Sequence, residues 1–432
     1  MRLSGWGNYP VVDVMTVTPR NSNEATLALN NAGSVIPRGM GRSYGDSALA
    51  ACVVETRNLD NFLAFDDSTG ELRCAAGISL ASILDIFVPR GWFLPVTPGT
   101  KFVSVGGAIA SDVHGKNHHL EGSFTDHIVT MTVATPSKGV LDCSPSKYAD
   151  LFHATSGGMG LTGLILEATL KLKRIRSSHI DATSLKAKNL EEALDLFDIH
   201  HNASYSVAWI DCLSSGKSLG RSIISLGEHM DHGDLFTTTR PKLQVPFYMP
   251  GILLNRHSIK AFNTLYFHRL QHSKKVNQIH YDSFFYPLDK ISNWNRLYGK
   301  AGFVQYQFAL PTAAGLDGIR MILQRIVKSG RGSFLAVLKV LGDRNRNLLS
   351  FPLKGYTLAI DFKMDSGVLS FLEELDRMVL DYEGTIYMAK DARMSAETFR
   401  QCYPNWDQFA EARAQYGADR VFHSEQSKRL GL

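Results

Sequence analysis

The spacing of apolar residues predicts two regions of different architecture along the chain. In the first, up to about residue 178, strands over Cys52–Glu55, Leu72–Ala76 and Leu164–Lys173 alternate with short helices. One of these helices, Ser79–Val88, has apolar residues three to four positions apart and a serine at its N-cap. In the second region, glycine-rich turns are rarer and the strands contain more aromatic residues.

The second region is predicted to be a sheet with helices on one face, which is an α+β arrangement. Four segments alternate as strands and two have helical spacing: Ser204–Ile210, Gly302–Ala309, Ser333–Val340 and Tyr356–Phe362, then Ala314–Val327 and Gly367–Leu380. A last predicted strand, Ile386–Ala389, leads to Lys390, beside Asp391 and Arg393. A lysine at a strand end is usually a surface charge, but near a cofactor its pKa depends on burial and on neighbouring charges.

Three glycine-rich segments interrupt the first region: Pro37–Asp46, Pro98–His119 and Thr155–Gly163. Glycine lets another group approach the backbone closely, and successive N–H groups in such a turn can bind a phosphate. A single turn of this kind is more often an ordinary turn. Three within 165 residues indicate a site for one extended, phosphate-bearing cofactor.

The third segment contains Gly158-x-Gly160-x-x-Gly163, which formally matches the dinucleotide-binding fingerprint. That fingerprint requires a strand before it and a helix after it. Here the predicted helix Tyr148–Ala154 comes first and the predicted strand Leu164–Lys173 follows, so we reject an NAD-binding Rossmann fold.

Three histidines, His114, His118 and His119, lie close together in the second segment. Their spacing would suit a metal site on a helix, but Gly115 and Asn117 argue against a helix and no carboxylate completes a ligand set. We therefore expect no metal and a polar active-site loop, with a purely structural loop as the alternative.

Residues 240–281 contain no acidic residue and seven basic ones: Arg240, Lys242, Arg256, Lys260, Arg269, Lys274 and Lys275. Two interpretations stay open, a solvated mobile loop and a surface that contacts anionic lipid. Over the whole chain, 46 basic and 41 acidic residues give a net charge of +5, which is too small to indicate nucleic acid binding.

The length of 432 residues predicts two or three domains, and the five cysteines are scattered without a CxxC pair. We therefore expect neither a disulfide framework nor a zinc site, and a reducing compartment. The first ten residues lack the apolar run of a signal peptide, and no run of 18 apolar residues exists. A cytoplasmic protein is the expectation.

The glycine-rich segments resemble a known family. Arg38–Asp46, Pro95–His119 and Gly157–Gly163 are similar to the FAD-binding domain of vanillyl-alcohol-oxidase-type flavoproteins and, more narrowly, to the decaprenylphosphoryl-β-D-ribose 2′-oxidase family. The similarity extends over nearly the whole chain, with further matches at Ala208-Trp209, Tyr298-Gly299, Gln305–Phe308, Ser333–Leu335, Ser350–Pro352 and Tyr387–Asp391.

The resemblance implies an α+β, two-domain vanillyl-alcohol-oxidase-type flavoprotein. The FAD-binding domain would comprise residues 1–178 and 385–432, and an antiparallel-sheet substrate domain, 179–384, would be inserted. The flavin N5 would accept a hydride from C2′ of a polyprenylphosphoryl-β-D-ribofuranose, giving the 2′-keto sugar. A short-chain dehydrogenase/reductase would complete epimerisation to the arabinose form used in cell-wall polysaccharide. A quinone or O2 would reoxidise the flavin, at the surface of the inner membrane.

The resemblance also implies site residues. Those assigned to FAD are Arg38, Gly39, Met40, Gly41, Arg42, Ser43, Tyr44, Gly45, Pro98, Gly99, Thr100, Val103, Gly106, Gly107, Ala110, Ser111, His114, Gly115, Asn117, His118, Gly158, Gly163, Ile165, Tyr387 and Lys390. Those assigned to the substrate are Lys116, Trp209, Gln305, Gln307, Lys339, Leu341, Thr357 and Ala359. The candidates for catalysis are Lys390, Tyr44, His114, Gln307, Lys339 and Tyr387. For Lys390 we favour stabilisation of negative charge on the reduced flavin over proton transfer.

Three positions depart from the family pattern. Arg42 stands where some flavoproteins of this superfamily tether FAD through a histidine, so FAD is expected to be non-covalent. Ala359 stands where mycobacterial members have a cysteine, so capture by thiol-directed inhibitors is not expected there. Leu341 stands where a phenylalanine is frequent, which leaves the lipid or glycosyl part of the substrate open.

Two other functions remain alternatives. A soluble sugar or aldonolactone oxidase that uses O2 would share the superfamily, although a free sugar needs no basic surface such as 240–281. A flavin-less binding protein would keep the fold, but the intact glycine-rich segments and Lys390 argue against it.

Overall fold

The computed structural model describes residues 1–31, 33–237 and 243–432. The strands in these ranges are Arg2–Ser4, Val11–Asp13, Met15–Val17, Ile36–Arg38, Cys52–Glu55, Phe62–Asp66, Glu71–Ala75, Trp92–Phe93, Ile128–Thr135, Gly139–Cys143, Leu164–Lys171, Lys173–Arg174, His179–Ala187, Tyr205–Ile210, Ser222–His229, Leu243–Gln244, Lys274–His280, Ile291–Ser292, Phe303–Pro311, Ala336–Leu341, Gly355–Lys363 and Thr385–Ile386. The α-helices are Ser22–Asn31, Leu80–Phe87, Val105–Ala110, His118–Glu121, Ala149–Thr155, Leu190–Ile199, Arg256–His268, Tyr281–Phe285, Gly315–Ser329, Val368–Asp381, Ala396–Cys402, Trp406–Gln415 and Glu425–Leu430.

A small parallel sheet carries the first glycine-rich segment. Its central strand, Cys52–Glu55, is buried and pairs with Met15–Val17 on one side and Ile36–Arg38 on the other. The glycine-rich turn leaves from the end of Ile36–Arg38, so its position is fixed by a strand of the core.

A five-stranded antiparallel sheet follows, in the order Gly139–Cys143, Ile128–Thr135, Leu164–Lys171, Glu71–Ala75 and Phe62–Asp66. The helix Leu80–Phe87 shares a hydrophobic core with this sheet. At the N-terminus of the helix, the Ser79 side chain accepts a hydrogen bond from Ser82 N. The predicted N-cap is confirmed.

An eight-stranded antiparallel sheet dominates the rest of the chain. Its strand order is Lys274–His280, His179–Ala187, Ser222–His229, Tyr205–Ile210, Ala336–Leu341, Gly355–Lys363, Phe303–Pro311 and Thr385–Ile386. Three helices, Leu190–Ile199, Gly315–Ser329 and Val368–Asp381, share a hydrophobic core with one face of this sheet. Side chains alternate between the two faces of a strand, so the opposite face is free to line a site.

The predicted α+β fold is confirmed, including a helix before Gly158–Gly163 and a strand after it. The predicted division into 1–178 with 385–432 and an inserted 179–384 is kept as a proposal. The eight-stranded sheet begins at His179, but it also takes in Thr385–Ile386.

Three local predictions need correction. Residues His118–Glu121 form one helical turn after Asn117 rather than a loop. The strand expected at Ile386–Ala389 ends at Ile386, because Tyr387 O accepts a hydrogen bond from Lys390 N and closes a turn. The window 240–281 is not a loop from 243 onward, since it contains the helix Arg256–His268 and the edge strand Lys274–His280.

In that window, Arg240 and Lys242 lie outside the described residues. Within the described residues, none of the helices is long and apolar enough to cross a membrane.

Candidate active site

A cavity of about 570 Å³ lies between the glycine-rich segments and the uncovered face of the eight-stranded sheet. Seven strands of that sheet contribute lining side chains: Asn277, Ser184, Ser225, Val207 with Trp209, Val337 with Lys339, Ala359, and Gln305 with Gln307. The period of two along each strand therefore sets which residues face the cavity.

The first glycine-rich turn packs directly against the C-terminal segment. A Cβ on Gly45 would lie 1.8 Å from the carbonyl oxygen of Asp391, so only glycine permits this approach. The Arg429 guanidinium joins the two segments, at 2.8 Å from Asp46 and 2.9 Å from Asp391. This packing holds the turn and Lys390 in one rigid wall.

Arg42 and Tyr44 are the turn's two large polar side chains in the cavity wall. The guanidinium of Arg42 lies 4.1 Å from the ring centroid of Trp6, a cation–π contact. Burial lowers its pKa, although not into a range in which arginine loses its proton. Tyr44 donates its backbone N–H to Ala389 O over 3.1 Å, and its ring lies under Lys390.

Lys390 is a half-buried cation, and the charge of Asp361 acts on it. Its Nζ lies 3.9 Å from the Tyr44 ring centroid, and burial lowers its pKa to about 8 against the opposing charge of Asp361. Asp361 is fully buried in the middle of a strand and accepts hydrogen bonds from Tyr298 at 3.0 Å and Gln305 at 2.6 Å. Burial raises the pKa of Asp361 to about 7.

His114 lies at the centre of a second polar group. Its Nδ1 is 2.9 Å from Lys339 Nζ, and its Nε2 is 3.0 Å from the Gln307 amide. Burial, and then the charge of Lys339, holds the pKa of His114 well below its usual range, so the imidazole is neutral. Burial, and then the charges of Lys116 and Lys390, lowers the pKa of Lys339 to about 7.

A neutral imidazole has one N–H donor and one acceptor nitrogen. When Lys339 is charged it donates to Nδ1, and the Nε2–H of His114 then needs the oxygen of Gln307. When Lys339 is neutral it can accept from Nδ1–H, and the Gln307 amide donates to Nε2. The protonation state of Lys339, the tautomer of His114 and the amide orientation of Gln307 are therefore coupled.

Lys116 is a third half-buried lysine, and backbone carbonyl groups hold it. Its Nζ donates to the carbonyl oxygens of Phe284 and Phe285, at 3.0 and 2.9 Å. Burial lowers its pKa to about 7. Two carbonyl acceptors orient the ammonium group but carry no full charge to neutralise it.

The described cavity lining has a large excess of positive charge. Its basic members are Arg42, Lys116, Arg269, Lys339 and Lys390, and its acidic member is Asp289. Cations that are partly withdrawn from water are stabilised by a partner of opposite sign, so the lining favours an anionic ligand. Gly99 also lines the cavity, and a Cβ built on it would meet no atom within 4 Å, which leaves room beside the backbone for a bound group.

The residues present therefore suit FAD, whose pyrophosphate carries negative charge and whose length requires a long cavity.

The two histidines that follow His114 in the sequence, His118 and His119, form hydrogen bonds with the backbone. His118 Nδ1 accepts from Gly342 N at 2.9 Å, and His119 Nε2 lies 3.0 Å from Ala203 O. In the described part of the chain, His, Cys, Asp and Glu side chains form no group of three that could hold a metal ion.

Most residues predicted for the site line this cavity, including all six candidates for catalysis. Seven predicted residues lie outside the lining: Arg38, Gly45, Asn117, His118, Gly158, Leu341 and Thr357. Arg38 donates to Ser4 O, and Asn117 donates to Pro95 O, so both brace the backbone behind the cavity. Leu341 is buried in the main hydrophobic core.

The other residues outside the lining also support the wall. The Thr357 hydroxyl donates to Phe308 O. A Cβ on Gly158 would lie 2.1 Å from Ala154 O, so this glycine permits a tight turn rather than a ligand contact.

Several lining or supporting residues were not predicted, among them Trp6, Tyr266, Arg269, Phe284, Phe285, Asp289 and Asp361. For Asp361 a signal exists, because an acidic residue in the middle of an apolar strand is rare unless it has partners. For Trp6 no local signal exists, since it reaches Arg42 only through tertiary packing.

Comparison with known proteins agrees with this geometry. Residues 15–144 match the model of an FAD binding domain family. The whole chain is 36% identical over 451 residues to decaprenylphosphoryl-β-D-ribose oxidase of Mycolicibacterium smegmatis, covering 97% of that protein. An uncharacterized protein of Streptomyces coelicolor is 30% identical over 82% of this chain and all of its own length. L-gulono-1,4-lactone dehydrogenase of Mycobacterium tuberculosis is 23% identical, with 98% of both chains covered.

Proposed function

Because the chain belongs to the decaprenylphosphoryl-β-D-ribose oxidase family, we propose that it oxidises the 2′-hydroxyl of a polyprenylphosphoryl-β-D-ribofuranose to the 2′-keto sugar. It is an FAD-dependent oxidoreductase. The observation that carries the choice of substrate is the excess of positive charge lining a cavity that also holds the FAD-binding segments. Two anionic groups, the cofactor pyrophosphate and the substrate phosphodiester, would neutralise it.

FAD, when bound, supplies the hydride acceptor, and the chain's own residues have to manage charge and protons. The substrate hydroxyl must lose its proton as the hydride leaves, so a base must lie within hydrogen-bonding reach. We assign this role to Lys339. Its pKa of about 7 leaves a substantial neutral fraction at neutral pH, and it already contacts His114. Once protonated, Lys339 donates to His114 Nδ1, and Gln307 turns its oxygen to the Nε2–H.

Tyr387 and Phe351 keep His114 in place. The Tyr387 hydroxyl donates to Ser111 O over 2.7 Å, and its ring stacks on Phe351 with centroids 4.6 Å apart. Both rings lie 5.6 Å from the His114 ring, so the imidazole cannot rotate freely. The Tyr387 hydroxyl is already donating, so we assign it a positioning role.

Lys390 is assigned to electrostatic stabilisation of the negative charge that forms during the reaction. It lies on the rigid wall that Gly45 and Asp391 form with the first glycine-rich turn. The backbone N–H groups of that turn and the Arg42 guanidinium would hold the pyrophosphate. An arginine at this position forms no covalent flavin link, so FAD is held non-covalently in this proposal.

The proposed reaction also requires a second enzyme, an electron acceptor and access to the membrane. A 2′-keto sugar needs a separate reductase to give the arabino epimer, and we assign this step to a short-chain dehydrogenase/reductase. A quinone or O2 takes the electrons. Because the substrate carries a polyprenyl tail, we place the reaction at the cytoplasmic surface of the inner membrane.

A soluble aldonolactone oxidase is the second candidate, since a lactone dehydrogenase aligns over 98% of the chain. The cavity argues against it, because a neutral lactone would bring no counterion to Lys116 and Lys390. A flavin-less binding protein is tested more simply, since that protein would purify colourless.

The deciding experiment is anaerobic reduction of the bound flavin. We expect loss of flavin absorbance with polyprenylphosphoryl ribose and none with free ribose or L-gulono-1,4-lactone. Bleaching by the free sugar or lactone alone would overturn the proposal, and mass spectrometry of the product should show loss of two hydrogens from the ribosyl group.

A further inference from the structure

Residues 243–281 present an unusual number of large apolar side chains to solvent. Those exposed are Leu243, Phe247, Tyr248, Ile252, Leu253, Phe262, Leu265 and Val276. Ile252 is 80% exposed and Leu265 is 74% exposed. Exposed apolar side chains that occur singly need no explanation, but a continuous group of them indicates an interaction surface.

These side chains do not belong to a loose segment. The helix Arg256–His268 buries Ile259, Asn263 and Phe267, and Asn263 donates to Asp211 at 2.9 Å. Residues 245–249 are held by Arg296, which donates to the carbonyl oxygens of Val245 and Pro246. The segment is therefore fixed to the domain by one set of residues and exposes another.

The charge of the segment identifies the surface it complements. Residues 243–281 contain no Asp or Glu, and they expose Arg256, Lys260, Arg269, Lys274 and Lys275. Basic residues interleaved with apolar and aromatic ones favour the interface of an anionic bilayer, where the apolar groups enter the headgroup region and the cations meet lipid phosphates.

The same segment reaches the cavity. Tyr266, Arg269, Asn277 and Ile279 line it, and Arg269 donates to the Tyr266 hydroxyl over 2.7 Å. The apolar surface and one wall of the cavity are thus built from one stretch of chain.

We propose that residues 243–281 form a docking face for an anionic lipid bilayer, with Ile252, Leu253 and Leu265 entering the headgroup region beside the cavity. In consequence, and here the inference rests on the proposed function, the polyprenyl tail stays in the membrane while the sugar phosphate enters the cavity. Arg269 then lies between the bilayer and the buried lysines, along the path of the phosphate.

The test is flotation of the FAD-loaded full-length protein with substrate-free vesicles, of phosphatidylcholine alone or mixed with phosphatidylglycerol. We expect binding to the mixed vesicles at low salt and loss of binding at high salt. The double variant Ile252→Ser/Leu265→Ser should bind at least roughly tenfold more weakly, because two apolar side chains no longer insert. Lys274→Gln/Lys275→Gln should weaken binding by about fivefold per lysine.

The matched control is Ile199→Ser. Ile199 is 69% exposed at the end of the helix Leu190–Ile199, outside the docking face. It should bind vesicles as the unaltered protein does. Equal binding by the Ile252→Ser/Leu265→Ser variant, or no binding by the unaltered protein, would overturn the docking face.

The docking face and the proposed substrate can be refuted independently of each other. Flavin reduction by a short-chain prenylphosphoryl ribose in solution should be unchanged in Ile252→Ser/Leu265→Ser, whose side chains do not line the cavity. Vesicle binding without any flavin reduction would refute the proposed substrate and support the docking face. Flavin reduction by the prenylphosphoryl ribose without vesicle binding would support the proposed substrate and refute the docking face.

Discussion

Replacing Lys339 by methionine removes the proposed base while keeping the length of the side chain. The pKa of about 7 means that about a tenth of Lys339 is neutral at pH 6 and about nine tenths at pH 8. The rate of flavin reduction should therefore fall about tenfold per pH unit below this pKa. A bound anion raises the pKa of a lysine, so the midpoint should lie at or above pH 7.

Lys339→Met should lower the rate by about 100- to 10,000-fold, the usual contribution of a general base, and should abolish this dependence on pH. The assay is anaerobic stopped-flow reduction of the bound flavin by polyprenylphosphoryl ribose between pH 5.5 and 9. Circular dichroism and the visible spectrum would establish that fold and cofactor are retained.

Lys116→Met is the matched control, because burial also lowers the pKa of Lys116 to about 7. Its ammonium group donates to two carbonyl oxygens, which gives it no proton acceptor role. The Lys116→Met variant should keep a dependence on pH even if it binds substrate less well, with the midpoint moved to higher pH because the charge of Lys116 lowers the pKa of Lys339. If Lys339→Met kept the dependence and a rate within threefold of the original, Lys339 would not be the base.

Four further predictions concern Gly45, Arg42, Asp361 and Ala359. Gly45→Ala should reduce FAD content severely, because its Cβ would lie 1.8 Å from Asp391 O, whereas Gly33→Ala, with nothing within 4 Å, should retain FAD; a flavin-to-protein absorbance ratio measures both. Arg42→Met should weaken FAD binding by at least tenfold, measured by fluorescence titration, and acid precipitation of the unaltered protein should release all flavin into the supernatant. Lys390, whose pKa is about 8, should lose its proton and lower the reduction rate at alkaline pH, and Asp361→Asn, which removes the charge that supports this cation, should move that fall in rate to lower pH; an unchanged alkaline limb would contradict this. Thiol-directed inhibitors should leave no adduct in peptides that contain Ala359, checked by mass spectrometry.

The sequence was sufficient for elements whose signal is local. Ser79 marked the start of a helix because a side-chain oxygen at that position satisfies a free N–H group. Alternation predicted a strand over Gly302–Ala309, which is present as Phe303–Pro311, and Gln305 and Gln307 on this strand both line the cavity. The three glycine-rich segments were visible because close approach of the backbone demands glycine.

Contacts between distant segments could not be read in the same way. Nothing near Trp6 in the sequence indicates that its ring meets Arg42, and nothing near Phe284 indicates that its carbonyl oxygen holds Lys116. Lys390 was predicted at a strand end but lies on a turn, because the Tyr387 carbonyl oxygen accepts its N–H. The contact between Lys116 and Phe284 joins residues 168 positions apart, so it depends on packing that no local pattern indicates.

The partners of the buried lysines explain how binding and proton transfer are linked. Lys116 meets carbonyl oxygens, Lys339 meets a neutral imidazole, and Lys390 meets an aromatic ring. None of these partners carries the full negative charge that would hold a lysine permanently protonated and inert. An anionic ligand is the missing counterion, and its position decides which lysine keeps its proton. A phosphate close to Lys116 and Lys390 keeps those two charged, and their charges are the ones that lower the pKa of Lys339. The cavity can therefore hold two cations for binding and charge stabilisation and one neutral amine for proton transfer at the same pH.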